Sequence, residues 1–504
     1  MGKYIAVTIG PIFDTINLAS TPSALWAASF MFSMLCRNIC ETLTENNVSE
    51  EDIISPYYSA EDPMLQRNDG VGLFHDRIIF RAEGFDIRDF SAIKETAVEK
   101  TVKLFFDDDF DEVLDYFKRY FLISAFSFES AAPIPDSSVA LDSLELMKPF
   151  AEEKGNNPLL SLYTSDDEDR KNQRIKDRIR QLKLNAWQLY NTNRQVMSLG
   201  DIAANNTPAS TAKAYKKFKY YAVIRSDGDR MGKIIEKLNS DDRIRAFSQT
   251  CLRYCAAVAD AVKAYSGVTI YSGGDDLLAL IPVENSSGET VFDFIKTTNT
   301  IFADTFTDFF KKNDMRDPGV SLSFGVFVSY YKFPLYEALE QSADLLFGTA
   351  KTHRDCTALR LQKHAGQSEG LVIRNGKDDL DTFIKLHEKC VKGKKNESSE
   401  ILLSAMHKLA QFETMFDHAA NADEIQNLFN NTFDADSHSG NSFLKTELPG
   451  FFGSLVSIAD EGAGVHISPL IDRGVLTDNE RRSLTMNYIL RIIKFFTESG
   501  GEEV

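Results

Sequence analysis

Apolar positions along the chain switch repeatedly between a period of two and a period of 3.6. Residues 4–9 (YIAVTI) read as a strand, Gly10-Pro11 breaks it, and the apolar-periodic stretch 12–43 reads as a helix. Residues 70–82 (GVGLFHDRIIFRA) are strand-like, 90–106 and 110–120 are helical in pattern, and 121–126 is a further strand-like run. Residues 165–193 are charged and helical, and 198–214 are small and polar, which suits a connecting helix followed by a linker. A strand at 220–225, a mainly helical stretch at 230–265, a hairpin at 268–281, a helix at 289–312, a strand at 320–328 and a helix at 335–351 then follow. The order β-α-β-β-α-β-α over 220–351 is a split βαβ, ferredoxin-like arrangement. From about 378 the pattern is helical, with candidates at 401–416, 422–429 and 479–496 and a loop at 433–448, so an all-helical C-terminal part is expected.

Composition bounds what these elements form. A chain of 504 residues is too long for one core, and two to four domains are expected. Its 37 Phe and 17 Tyr supply ample core material, and 43% hydrophobic with 26% charged residues is a soluble globular balance. The net charge of -18 argues against a free-standing nucleic-acid binder, so any RNA is expected to be held mainly by partner subunits. Six cysteines are too sparse for a disulfide framework and point to a reducing cytoplasm. Cys36 with Cys40, and Cys251 with Cys255, sit four apart in helical stretches and read as core thiols in preference to zinc ligands; Cys356 and Cys390 are isolated. The apolar segment 24–36 is too short to span a bilayer, and no membrane association is expected.

The chemistry concentrates in the split βαβ. Residues 220–227 form an apolar strand ending in Asp227, followed by Gly228-Asp229-Arg230-Met231-Gly232-Lys233, and the hairpin carries Ser272-Gly273-Gly274-Asp275-Asp276 at its tip. In this topology the first strand lies beside the hairpin, so Asp227, Asp275 and Asp276 are expected to converge, and three carboxylates suit Mg²⁺ or Mn²⁺. Two such ions would bridge a nucleotide's phosphates and stabilise leaving pyrophosphate. Gly228 and Gly232, beside a helix N-terminus, leave room for backbone N–H groups to approach a triphosphate, and Lys351 is placed to add a cation. Each piece alone also has a plain structural reading: a hairpin turn, an N-cap at Asp227 with a solvated Asp229, a surface lysine at Lys351. Their order and spacing within one split βαβ favours the site.

These residues carry a family resemblance. The segment 220–351 resembles a palm, or GGDEF-like nucleotidyl cyclase, domain. More narrowly, YYAVIRSDGDRMGK, YSGGDDLLALIP and SYYKFPLYEAL are similar to the large polymerase-like subunit of type III CRISPR effector complexes, in its Cmr branch. TIGPIFDTI, LWAASFMFS and GVGLFHDRIIF resemble that subunit's first, degenerate palm, so the likeness runs over roughly residues 4–370. It implies an α/β (α+β) protein: a first palm at 1–160, a helical connecting segment at 161–215, a second, GGDD-bearing palm at 216–370 and a C-terminal helical domain at 371–504.

Carried over residue by residue, the resemblance makes Asp227, Asp275 and Asp276 the catalytic and metal-binding carboxylates. Gly228, Asp229, Met231, Gly232, Lys233, Ser272, Gly273, Gly274 and Lys351 become the nucleotide-binding set. It implies an RNA-activated nucleotidyltransferase that uses ATP and two Mg or Mn ions to make an adenylate second messenger, assembled with other effector subunits, guide RNA and target RNA. The product is left open between a cyclic oligoadenylate and AMP joined to S-adenosylmethionine, since the acceptor pocket belongs to the first palm. A silent scaffold subunit and a diguanylate cyclase are the competing readings. The first palm begins at Tyr4, so no HD nuclease domain is expected; His75-Asp76 in a strand-like run reads as structural, and 160–215 lacks the cysteines of a zinc knuckle.

Overall fold

The computed structural model describes residues 2–17, 19–106, 110–146, 177, 184, 189–191, 193, 196–205, 216–376, 379–392, 395–433, 443–460, 467–470 and 480–497. Most of the expected helix at 165–193 and residues 206–214 of the expected linker at 198–214 lie outside them; the start of that linker is instead a short buried helix, Leu199–Ala203, capped by Ser198.

Two sheets organise the described residues. The first has the order β2-β3-β1-β4, with β1 at Gly2–Gly10, β2 at Ile53–Ser55, β3 at Arg77–Arg81 and β4 at Leu122–Ser130. β1 is its central strand, antiparallel to both β3 and β4. The second sheet is seven-stranded, in the order β11-β10-β9-β8-β5-β7-β6. Its four strands earliest in the chain are β5 (Tyr220–Asp229), β6 (Val268–Gly273), β7 (Asp276–Pro282) and β8 (Ser321–Tyr330), and β5 lies between β7 and β8. The two sheets therefore repeat one split βαβ topology, β1 corresponding to β5 and β3 to β7. The buried faces are continuous apolar runs: β5 from Tyr220 to Ile224 and β7 from Leu277 to Ile281 are almost wholly covered.

Three expected elements differ, each for a local reason. The helix expected at 12–43 is two, Ile12–Asn17 and Pro22–Glu45, because Pro22 starts a new helix whose first turn is capped by Thr21. The strand expected at 70–82 shrinks to Arg77–Arg81, since residues 56–76 form a long connection that lies between the sheets. The helix expected at 335–351 is α-helical only over Leu335–Ala343, then turns π-helical over Asp344–Ala350.

Beyond β8, β9 (Cys356–Gln362) adds parallel and β10 (Ser368–Arg374) antiparallel, strands absent from the sequence reading. The C-terminal part is correspondingly not all helical: β11 (Ile467–Pro469) completes the sheet on β10. The other described elements there are helical, and the last helix, Glu480–Thr497, packs on the sheet through Arg491 against Glu369 of β10 and Phe495 against Tyr220 of β5. Part of the loop expected at 433–448 lies outside the described residues; Phe443–Glu447 is a π-turn leading into the helix Leu448–Asp460. All six cysteines are buried free thiols. Among the described residues no helix is long and apolar enough to cross a membrane.

Candidate active site between the two sheets

The hairpin β6-β7 closes through a two-residue loop, with Gly273 paired to Asp276 and Gly274 at φ 69°. A positive φ at that position suits the right-handed twist of the strands and favours glycine. The helix Asp241–Ala264 holds the tip: the Cys255 thiol donates to the Gly274 carbonyl at 3.3 Å, and the Ser272 hydroxyl donates to the Cys255 carbonyl at 3.2 Å. Ser272 is thereby turned into the protein and serves the hairpin's position.

β5 delivers the third carboxylate. Ser226 faces Leu277 across the ladder, so the next residues, Asp227 and Asp276, stand on adjacent strands. Asp275 reaches across from the loop, its Oδ2 accepting from the Gly228 N–H at 3.2 Å. A Cβ on Gly228 would lie 2.5 Å from that oxygen and 2.6 Å from Met231 Cγ, so glycine is required here for the approach of a carboxylate. Burial and the charge of Asp227 push the Asp275 carboxyl up to about 7, against the opposing pull of Lys351. Burial, then the charges of Asp275 and Asp227, raise Asp276 well above the usual carboxylate range. Three carboxylates are thus crowded into a poorly solvated corner with one cation among them.

That cation is Lys351. Its Nζ lies 2.8 Å from Asp227 Oδ2, donates to the Gly228 carbonyl at 2.6 Å, and lies 3.3 Å from Asp229 Oδ1. Asp229 is buried: it accepts from the Ser321 hydroxyl at 2.9 Å, the Ser323 hydroxyl at 2.8 Å and the Asp355 N–H at 2.8 Å. It therefore ties β5 to β8 and to the start of β9 and anchors Lys351. Gly232 and Lys233 are exposed on the short helix Met231–Ile235.

A cleft of about 380 Å³ opens between the sheets, lined by Met231, Gly273, Gly274, Asp275 and Asp276 from the second and by Ser55, His75, Asp76, Ser137 and Leu141 from the first. Of the expected site residues these five line it. Asp227, Gly228 and Lys351 stand behind Asp275, and Asp229, Gly232, Lys233 and Ser272 do not line it. The seam that sets its width is polar. Arg245 donates to the carbonyls of Glu50 and Ile53 at 2.6 Å and of Tyr58 at 2.8 Å, and Asp241 joins Arg81 and the Tyr4 hydroxyl.

Tyr271 and the pair His75-Asp76 line the cleft but escaped the sequence reading of the site. Tyr271 lies over Gly273, where a Cβ would meet its hydroxyl at 2.5 Å; the period of two along β6 puts 271 and 273 on one face and carried that signal. His75-Asp76, read as structural, immediately precedes β3 as Asp275 immediately precedes β7, so the duplicated topology brings both turns to one cleft. The Arg77 N–H donates to His75 Nδ1 at 3.3 Å, which leaves Nε2 protonated toward Ser55 Oγ at 3.3 Å. Burial, with the charge of Arg77, lowers the imidazole to about 4.

The donor set, three crowded hard-oxygen carboxylates short of countercharge, fits a divalent cation such as Mg²⁺ or Mn²⁺. As arranged with Lys351 on Asp227, no group of three or more His, Cys, Asp or Glu among the described residues is set to hold one.

Two family models match the chain: Cas10/Cmr2, second palm domain, over residues 220–359, and CRISPR-associated protein Cmr2, N-terminal, over residues 4–110. Among curated proteins it is 32% identical over 184 residues to the CRISPR system Cmr subunit Cmr2 of Pyrococcus furiosus, covering 30% of this chain and 20% of that one. It is 30% identical over 100 residues to the CMR subunit Cmr2 of Saccharolobus solfataricus, covering 17% and 9%. The matched segments thus span a fifth or less of those relatives. Among solved structures, a Csm1-Csm4 cassette in complex with cA4 superposes with a TM-score of 0.55 at 12% identity, covering 98% of this chain and 70% of that one. A type III-B Cmr-beta apo structure gives 0.55 at 13% identity, covering 98% and 81%. At such identities the likeness is one of fold.

Proposed function

The chain belongs to the Cas10/Cmr2 family, and on that premise we propose that it is the adenylyl-transferring subunit of an RNA-guided type III CRISPR effector complex. In this reading it acts in the cytoplasm, and target RNA held by the assembled complex switches it on. ATP donates AMP: a bond forms from the acceptor's oxygen to the α-phosphorus as the bond to pyrophosphate breaks. The acceptor is a second ATP, giving oligoadenylate, or S-adenosylmethionine, giving a conjugate. Solved relatives crystallised with ATP, AMPPNP, pppApA or cA4 support an adenine nucleotide as the substrate class.

The observation that carries the proposal is the crowding of Asp275 and Asp276 against Asp227 at the edge of a cleft built by both sheets. Asp227, Asp275 and Asp276 would hold Mg²⁺ or Mn²⁺, which supplies Lewis acidity toward phosphate oxygens and a more acidic attacking hydroxyl. Gly228 lets Asp275 approach β5, and Lys351 keeps Asp227 oriented. Tyr271 and the apolar wall at Met231 and Leu141 exclude water from the reacting phosphate. The face carrying His75 and Asp76 is where the acceptor sits.

Pyrophosphate release by the assembled complex, supplied with target RNA, ATP and Mg²⁺, tests this. The Asp275→Ala, Asp276→Ala double variant is expected to lose at least 100-fold in rate, in line with the removal of groups that hold transition-state charge. Wild-type rates from that variant would overturn the proposal, and absence of any turnover from an assembled wild-type complex would favour the scaffold reading.

A further inference from the structure

A second cleft, of about 410 Å³, lies against β5 at Arg225, two residues before Asp227 on the same strand face, and is lined by Phe13, Arg225, Tyr336, Leu339, Glu340 and Phe347. It joins the short helix Ile12–Asn17 of the first sheet's domain to the helix Leu335–Ala343 and the π-turn that follows. Six large hydrophobic side chains are strongly exposed among the described residues, and three of them, Phe13 at 65%, Tyr336 at 55% and Phe347 at 54%, rim this one cleft. Such clustering marks an interaction surface, whereas scattered exposed hydrophobics do not.

Among the described residues Arg225 is the cleft's only cationic lining residue. Its Nε donates to Ser342 Oγ at 3.1 Å, and among the described residues its guanidinium forms no ion pair with a carboxylate. A guanidinium offers five donors in a fixed fork matched to a carboxylate or phosphate. The choice between these follows from the surroundings. A nucleic-acid strand carries a charge at every nucleotide and needs a run of cations, whereas this rim presents Glu340 among the lining residues and Asp14, Glu337 and Asp344 in the same short elements. One guanidinium among aromatic side chains suits one carboxylate flanked by apolar groups, the combination that anchors protein interfaces.

We propose that this cleft docks a segment of a neighbouring protein subunit, with an Asp, Glu or C-terminal carboxylate on Arg225 and apolar side chains against Phe13, Tyr336 and Phe347. The proposal rests on the chain being a subunit of a multi-protein effector complex.

The test is Tyr336→p-benzoylphenylalanine in the full chain, co-expressed with the neighbouring subunits and guide RNA, irradiated after purification of the complex. The expected result is a cross-link to one partner polypeptide within a peptide that holds a carboxylate. Arg225→Gln and, separately, the exposed Phe347→Ser should each lower its yield at least tenfold at unchanged circular dichroism. Should Arg225→Gln fail to fold, Phe347→Ser alone decides. The same cross-link is expected in an Asp275→Ala, Asp276→Ala background, so loss of catalysis and loss of docking are read separately. Cross-linking to RNA, to a second copy of this chain or to nothing in an assembled complex overturns the proposal, as does a yield that neither variant lowers. Failure of the unmodified chain to enter any complex overturns the functional reading as well.

Discussion

Lys351 Nζ stands 2.8 Å from Asp227 Oδ2 and so neutralises one carboxylate of a group of three. This places the lysine inside the carboxylate cluster, where it also holds the Gly228 carbonyl at 2.6 Å, instead of extending into the cleft. Lys351→Met is therefore expected to lower the thermal midpoint in EDTA by several degrees, because an uncompensated carboxylate is left beside Asp275. Millimolar Mg²⁺ or Mn²⁺ should restore most of the loss, since a divalent cation replaces the missing charge. Differential scanning fluorimetry with and without the metal checks both effects; a loss that metal does not reverse would mean the lysine matters only for packing.

Gly228 and Gly232 look alike in the sequence and differ in space. A Cβ on Gly228 meets Asp275 Oδ2 and Met231 Cγ, whereas none lies within 4 Å of one on Gly232. Gly228→Ala should cost at least tenfold in pyrophosphate release, and Gly232→Ala should stay within about twofold, as expected of an exposed position free of steric conflict. Equal effects would remove the steric argument.

The pH dependence has two opposed parts. Asp275 is raised to about 7, so the folded chain binds more protons than the unfolded one between about pH 4 and 7, and metal-free stability falls as pH rises through that window. Asp275→Asn should flatten this slope and raise the midpoint at pH 8 in EDTA. His75 is lowered to about 4, so the unfolded chain binds more protons between about pH 4 and 6.5, and its contribution to stability is lost as pH falls through that range. His75→Gln should therefore be more stable relative to wild type at pH 5 than at pH 8. Midpoints across pH 4–8 for both variants separate the two contributions.

Much of the second domain was legible because its signals are local. The apolar run before Asp227, the Gly-Gly-Asp-Asp turn and the two intervening helices each carry their own periodicity, and the structure returns β5 to β8 in the expected order. The cleft's other wall was not legible. β2 has three residues and β3 five, separated by residues 56–76, so the first sheet's counterpart of the Gly-Gly-Asp-Asp hairpin leaves no hairpin pattern. His75-Asp76 then looks like an ordinary dipeptide until β1-β3 is laid beside β5-β7. Asp229 shows a different limit. Its neighbour Asp227 has the same side chain on the same strand face, and distant partners, the hydroxyls of Ser321 and Ser323 and the Asp355 N–H, turn Asp229 into an anchor. β9, β10 and β11 were unread because a strand that adds to an existing sheet edge depends on its neighbour, and β11 contributes only three residues.

The central claim is that Asp227, Asp275 and Asp276 carry adenylyl transfer, and mass spectrometry of the products tests it most directly. The assembled complex with target RNA and Mg²⁺ is given ATP alone in one tube and ATP with S-adenosylmethionine in another. The account predicts a new adenylate species, oligoadenylate in the first or a conjugate confined to the second, lost in the Asp275→Ala, Asp276→Ala variant. No new adenylate in either tube, or the same product from the double variant, would contradict it.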